Sequence, residues 1–172
     1  WWIEYADLSG IRMDTYSYPD HHMMGDWNNR INEEYPNFSI VGEEWVTKPS
    51  WVAYWQNKKK NPNGYKSSLF SLMDFPIQDA LIKGLTEDEG WSTGLKRLYE
   101  TLAMDFLYPD PENLVIFPDN HDMSRYFTQL GGDFDLWKMG IAYMLTTRGI
   151  PQIYYGTEVL FEADQSRDWG YL

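Results

Sequence analysis

The sequence predicts an α/β fold in which short parallel strands alternate with helices. Five β-type runs carry that reading, at residues 10–14, 38–42, 69–73, 114–118 and 150–154. Their starts lie 28, 31, 45 and 36 residues apart, the length of a strand–helix–strand unit, roughly 30 residues or more. Between them apolar positions recur at helical spacing, and repeated units of this kind imply a parallel sheet. Two architectures qualify. One is an open sheet of five strands; the other is the rear part of a (β/α)8 barrel, since a whole barrel takes about 250 residues. No glycine-rich phosphate loop follows the first strand, which removes the main support for a nucleotide-binding open sheet.

The helical stretches follow in order. Met24, Trp27, Ile31 and Tyr35 share one face after Pro19-Asp20, and Pro36 ends that helix because its ring and missing N–H cannot continue one. Lys58-Lys59-Lys60 before Asn61-Pro62-Asn63-Gly64 reads as a solvated loop and turn. Pro76 sits where a first helical turn starts and leads into residues 77–84. Leu95, Leu98, Leu102 and Phe106 mark an amphipathic helix closed by Pro109 and Pro111. Residues 136–147 are apolar on several faces, which predicts a largely buried helix. No linker-like shift in composition and no internal repeat interrupts the alternation.

Composition narrows the function classes. The 172 residues suit about one domain, and 43% apolar content rules out intrinsic disorder. A net charge of −12 argues against nucleic acid and anionic membranes as partners, since both repel an acidic surface. No run of about 20 apolar residues predicts a membrane span, and no basic-then-apolar start predicts a signal peptide. The absence of cysteine excludes disulfides, a thiol nucleophile and a cysteine-based zinc site. Three histidines without ligand spacing predict no transition-metal site, with His21 and His22 on a helix surface. Nine Trp and thirteen Tyr fit either a tyrosine-rich core or a surface that stacks on sugar rings. The acidic charge favours sugars over bases.

In parallel α/β folds chemistry gathers at the C-terminal ends of strands. Three strand ends here carry acids: Asp14, Glu43 with Glu44, and Asp119 with Asp122. Arg12 lies two residues before Asp14, on the same face of its strand. A guanidinium there holds a carboxylate ionised, as a nucleophile requires. Glu43 is followed by Glu44 and Trp45, and a neighbouring acid and an indole would raise its pKa, as a general acid requires. One ionised and one protonated carboxyl on a common cleft suit glycoside hydrolysis. A third acid would stabilise an oxocarbenium-like transition state.

The residues themselves resemble a known family. Gly10-Ile11-Arg12-Met13-Asp14 is similar to the nucleophile motif of the α-amylase family, glycoside hydrolase family 13. Val41-Gly42-Glu43-Glu44-Trp45 resembles its acid/base motif, and Phe117-Pro118-Asp119-Asn120-His121-Asp122 its third motif. The segment from Gly149 to Glu158 resembles that of the last barrel strand. The resemblance implies a TIM barrel and a double displacement that retains α-configuration. Asp14 would be the nucleophile, Glu43 the acid/base and Asp122 the stabiliser of the distorted sugar. Arg12 would orient Asp14, while His121 and Asn120 would contact substrate. Arg125 would either hydrogen-bond substrate or pair with an acid. Tyr18, Trp45 and Tyr126 are stacking candidates for which core packing stays open.

Residues 11–19 and 39–45 look closest to the neopullulanase and cyclomaltodextrinase branch. That implies starch oligosaccharides, cyclodextrins or pullulan as substrates, and a periplasmic or extracellular setting. The family's first conserved segment, first three strands and inserted domain have no counterpart here, and no C-terminal β-domain follows residues 161–172. The strands therefore resemble the fourth to eighth, with residues 1–172 the C-terminal part of the (β/α)8 catalytic domain of a longer enzyme. No cofactor is expected, although calcium is compatible with the full-length parent. An isolated fragment is expected to self-associate through exposed sheet edges and to have little activity. The alternative is a catalytically inert α-glucan-binding or structural homologue, against which three intact acids weigh.

Overall fold

A computed structural model describes residues 1–167; the last five residues of the tail 161–172 lie outside it. All five sequence-predicted strands are present: β1 (Gly10–Met13), β2 (Ser39–Gly42), β3 (Ser71–Leu72), β4 (Val115–Ile116) and β5 (Ile150–Pro151). β1 pairs in parallel with β2 from Gly10 opposite Ser39, and β2 with β3 from Val41 opposite Ser71. A single parallel bridge, Met73 to Val115, joins this group to the parallel pair of β4 and β5. The strands thus follow one another in chain order around an arc. A doubly wound sheet needs a reversal of that order at a switch point. None occurs among the described residues, so the arc is of barrel type.

Helices α1 (Trp2–Tyr5), α2 (His21–Glu34), α3 (Pro49–Tyr54), α4 (Phe75–Thr86), α5 (Lys96–Leu102), α6 (Tyr126–Gln129) and α7 (Phe134–Thr146) fill the connections. The longer ones start where acidic side chains accept otherwise unpaired N–H groups. Asp20 caps Met23 at 2.9 Å, Asp74 caps Ile77 at 3.1 Å, and Asp133 caps Asp135 at 2.8 Å and Leu136 at 3.0 Å. Tyr16, Met24, Ile40, Val52, Leu69 and Leu72 belong to one core beneath α2 and α3. Ile77, Leu81, Leu98, Ile116, Tyr126 and Met144 belong to a second, which ties α4 to α7. Gly140 permits that packing, because a Cβ there would lie 1.7 Å from the Tyr126 hydroxyl.

Two helices differ from expectation. α5 ends at Leu102, and Phe106 falls in a short 3-10 turn with 78% of its surface exposed. The predicted apolar face therefore stops with Leu98, which is buried, and half-buried Leu102. α7 is not largely buried: only Gly140 and Met144 are enclosed, while Phe134, Met139 and Leu145 are at least 50% exposed. Its inner side packs on α4 and α6. Its other apolar face has no cover among the described residues. The concave side of the arc is likewise open, leaving a cavity of about 650 Å³ lined by Ile11, Val41, Ser71, Val115 and Ile150.

Candidate active site

The ends of β1 and β2 and the loop after β4 bring the predicted acids onto one side chain. Arg12, at the end of β1, places Nη1 2.7 Å from the Asp14 carboxylate and Nη2 against Oε1 of Glu43. The same Nη2 lies 3.8 Å from the Asp122 carboxylate. One guanidinium therefore contacts all three acids, although they are distant in sequence. His121 Nε2 is 3.1 Å from Oδ2 of Asp122. The carboxylates differ in access: the Glu43 side chain is 5% exposed, that of Asp122 31% and that of Asp14 64%. An open acid beside an enclosed one suits attack by the first and proton transfer by the second.

Backbone geometry reinforces the arrangement. Thr15 has φ 44°, a left-handed conformation uncommon for a β-branched residue. That turn aims its N–H at Oε2 of Glu43, 3.0 Å away. Glu43 itself is fixed on the strand ends, since its N–H donates to Met13 O and its carbonyl accepts from Tyr16 N. The Asp122 N–H donates to Asn120 Oδ1 at 2.8 Å, and Gln165 Nε2 donates to the Asp122 carbonyl at 2.7 Å. The contribution of Thr15 comes through its backbone, so no sequence signal could have found it. Gln165 lies 43 residues from its partner in a segment without periodicity.

The remaining candidates are placed differently. Asn120 is 3% exposed, and its Nδ2 has no hydrogen-bond partner among the described residues. Arg125 is fully buried, so the substrate contact left open for it is not made from this position. Its donors reach Asp119, the Tyr155 carbonyl and the Thr157 hydroxyl, and it pairs with an acid. Tyr126 is also fully buried, in the core. Trp45 stacks on Phe75 at 5.1 Å and is 50% exposed; Tyr18 is 83% exposed. Glu44 was expected to lie beside Glu43 and raise its pKa. Instead the Arg12 and Thr15 N–H groups meet the Glu43 carboxylate, while Glu44 turns toward Ser17 and Trp55. Burial pushes the Glu44 carboxyl above its ordinary value. The described residues contain no group of three or more His, Cys, Asp or Glu side chains that could hold a metal ion.

Comparison with known proteins identifies the family. The family description "Alpha amylase, catalytic domain" matches residues 1–168. The chain belongs to the α-amylase family. Among curated relatives, the cyclomaltodextrin glucanotransferase of Geobacillus stearothermophilus is 32% identical over 91% of this chain and 20% of its own length. The cyclomaltodextrinase of Thermoanaerobacter pseudethanolicus is 26% identical over 98% of this chain and 27% of its own length. This α-amylase-family chain thus spans about a fifth to a quarter of those relatives. Among solved structures, the α-amylase of Geobacillus thermoleovorans, complexed with acarbose, superposes with a TM-score of 0.81 at 25% identity. That match covers 98% of this chain and 36% of the other. The cyclomaltodextrin glucanotransferase CldA superposes with a TM-score of 0.80 at 28% identity, covering 96% of this chain and 32% of its own.

Proposed function

We propose that this chain forms strands four to eight of a (β/α)8 catalytic domain in a longer enzyme that cleaves or transfers α-1,4-linked glucans. Starch oligosaccharides, cyclodextrins and pullulan are the proposed substrates. The observation that carries the reading is the convergence of Asp14, Glu43 and Asp122 on Arg12. Asp14 attacks the anomeric carbon as the glycosidic C–O bond breaks, and Glu43 gives its proton to the departing oxygen. A β-glycosyl ester on Asp14 results. Glu43, now a carboxylate, takes a proton from water or a sugar hydroxyl, whose oxygen displaces Asp14 and restores the α-configuration. Asp122 and His121 hydrogen-bond hydroxyls of the reacting ring, and Arg12 orients the nucleophile. No step requires a cofactor.

Two features support retention of configuration. Asp14 and Glu43 both meet the terminal nitrogens of one guanidinium. That favours the short carboxyl separation of retaining enzymes, about 5–5.5 Å, over the 6.5–9.5 Å of inverting ones. Asp14 is also exposed enough for a sugar carbon to reach it. The isolated 172-residue arc is proposed to have little activity, because one side of its cleft is open. It is proposed to pair with a second copy through the free edges of β1 and β5, as unpaired strands do. Light scattering after size exclusion, showing a clean monomer, would oppose that pairing.

The test uses the full reading frame. Wild type and Asp14→Asn are incubated with starch, cyclodextrin and pullulan, and products are separated by chromatography. Cleavage by wild type that is lost in the variant is the expected result. No cleavage by wild type, with glucan binding retained, would overturn the enzymatic reading in favour of an inert binding homologue.

A further inference from the structure

Two of the three acids are set in place by paired strands, and the third is not. Asp14 directly follows β1, and Glu43 directly follows β2, in parallel register with β1 from Gly10–Ser39 to Met13–Gly42. Asp122 lies between β4 and α6, in neither a helix nor a strand. Side chains hold both of its backbone polar groups instead. Its N–H donates to Asn120 Oδ1 at 2.8 Å, and its carbonyl accepts from Gln165 Nε2 at 2.7 Å. Asn120 is a near neighbour in sequence, whereas Gln165 comes from the segment that returns after β5.

That returning segment is itself anchored. It turns at Gly156 and Leu160, whose φ values of 84° and 60° are left-handed. The buried Arg125 guanidinium holds its first part by donating to the Tyr155 carbonyl and the Thr157 hydroxyl. Further on, Ala163 is 4% exposed; its carbonyl accepts from the Arg125 N–H at 2.9 Å, and its N–H donates to Thr128 Oγ1 at 3.1 Å. Gln165 then donates its own N–H to Ser124 Oγ at 2.9 Å and its side-chain amide to Asp122. Residues 163–165 thus form a strap that runs opposite in direction to residues 122–128 and clasps them at both ends.

We infer that Gln165 is a positioning residue for the reaction: by holding the Asp122 carbonyl, it fixes the Asp122 carboxylate against Arg12 and His121. That role rests on the proposed function, in which Asp122 hydrogen-bonds the reacting ring. The side chain suits the task. A backbone carbonyl needs a donor, which a primary amide supplies and an ionised carboxylate does not. With N–H and carbonyl both pinned, the Asp122 carboxylate keeps its 3.8 Å approach to Arg12 and its 3.1 Å contact with His121. Such groups must stay within about 0.5 Å of their productive geometry, and a misplacement of about 1 Å costs roughly 10²-fold in rate. Gln165 therefore acts through Asp122 and needs no contact with substrate.

The test is a double-mutant cycle in the full-length protein, read by steady-state kinetics on an activated aryl maltoside. Gln165→Met keeps the length of the side chain and removes the donor. It should lower kcat by about ten- to hundred-fold with KM little changed, the pattern of an interaction realised in the transition state. In an Asp122→Ala background the same substitution should cost nothing further, because the group it positions is gone. Thermal unfolding checks that each variant is folded. If Gln165→Met does not fold, Ser124→Ala loosens the same clasp, and its loss of kcat should likewise vanish without Asp122. A folded Gln165→Met variant with wild-type kcat would overturn the inference, as would equal losses in both backgrounds, which mark a merely structural role. Failure of the enzymatic reading would look different: wild type itself would cleave no glucan, and the inference would fall with it.

Discussion

Replacing Asp119 with alanine should destabilise the chain more than any other single change at the strand ends. Both Asp119 and Arg125 are fully buried, with Arg125 Nε 2.8 Å from Oδ2. The same Oδ2 accepts the Tyr126 N–H at 2.9 Å, and Oδ1 accepts the Thr157 hydroxyl at 2.8 Å. Arg125 in turn lies 4.5 Å from the Tyr154 ring centre and bonds the Tyr155 carbonyl. Truncating Asp119 strands a guanidinium in a dry interior, which costs about 3–5 kcal/mol when one partner of a buried pair is removed. For a chain of this size, each kcal/mol shifts Tm by about 2–4 °C, so a fall of roughly 6–20 °C is expected. Asp119→Asn, which keeps an acceptor, should lose less. Urea and thermal unfolding at fixed protein concentration measure both. A loss below about 1 kcal/mol for Asp119→Ala would refute the reasoning, as would an Arg125→Ala variant of native stability whose only defect is weaker sugar binding.

Three further outcomes are expected. Glu43→Gln should lower turnover of natural glucans by about 10²–10⁴-fold but much less with an activated aryl leaving group, whereas Glu44→Gln should spare turnover; steady-state kinetics on both substrate types separate the two acids. Gly140→Ala should cost about 1–3 kcal/mol in urea unfolding, because its new methyl would displace the buried Tyr126 ring. Glu87 is held below its ordinary value of 4.5 mainly by the Arg97 hydrogen bond. Its contribution is therefore full above that pH and is lost as pH falls through the lowered value. The stability gap between wild type and Glu87→Gln should shrink on acidification, and a constant gap would contradict the assignment.

What could be read in advance follows from how local each signal is. The strands and α2, α4 and α7 were legible because proline, aspartate caps and apolar spacing act within a few residues. α3 and α6 escaped because helices of six and four residues carry too little periodicity. The pairing of Arg12 with Asp14 was visible two residues apart. Its reach to Glu43 and Asp122 depends on how neighbouring strands align. Arg148 bonds Asp74 and Asp105, which lie 74 and 43 residues away in sequence, so charge alone gave no sign of that triad around the buried Asp74. The bare face of α7 marks a different limit: hydrophobicity says which surface needs cover, and only geometry says whether cover is present.

The chain-order arrangement of the strands bears on how the protein assembles. Gly10 meets Ser39, Val41 meets Ser71, Met73 meets Val115, and Val115 meets Ile150. Each link closes a loop of roughly 30–40 residues, and lengthening such a loop adds little entropy cost. Every new strand therefore docks on the one made just before it. During synthesis each of these units can dock on the one before it without waiting for a distant partner, as stacked repeats do. The same logic makes unravelling directional. Among the described residues β5 pairs with β4 alone, and β4 meets β3 at the single Met73–Val115 bridge, so in the isolated 172-residue chain peeling should begin at that pair while β1, β2 and β3 stay paired.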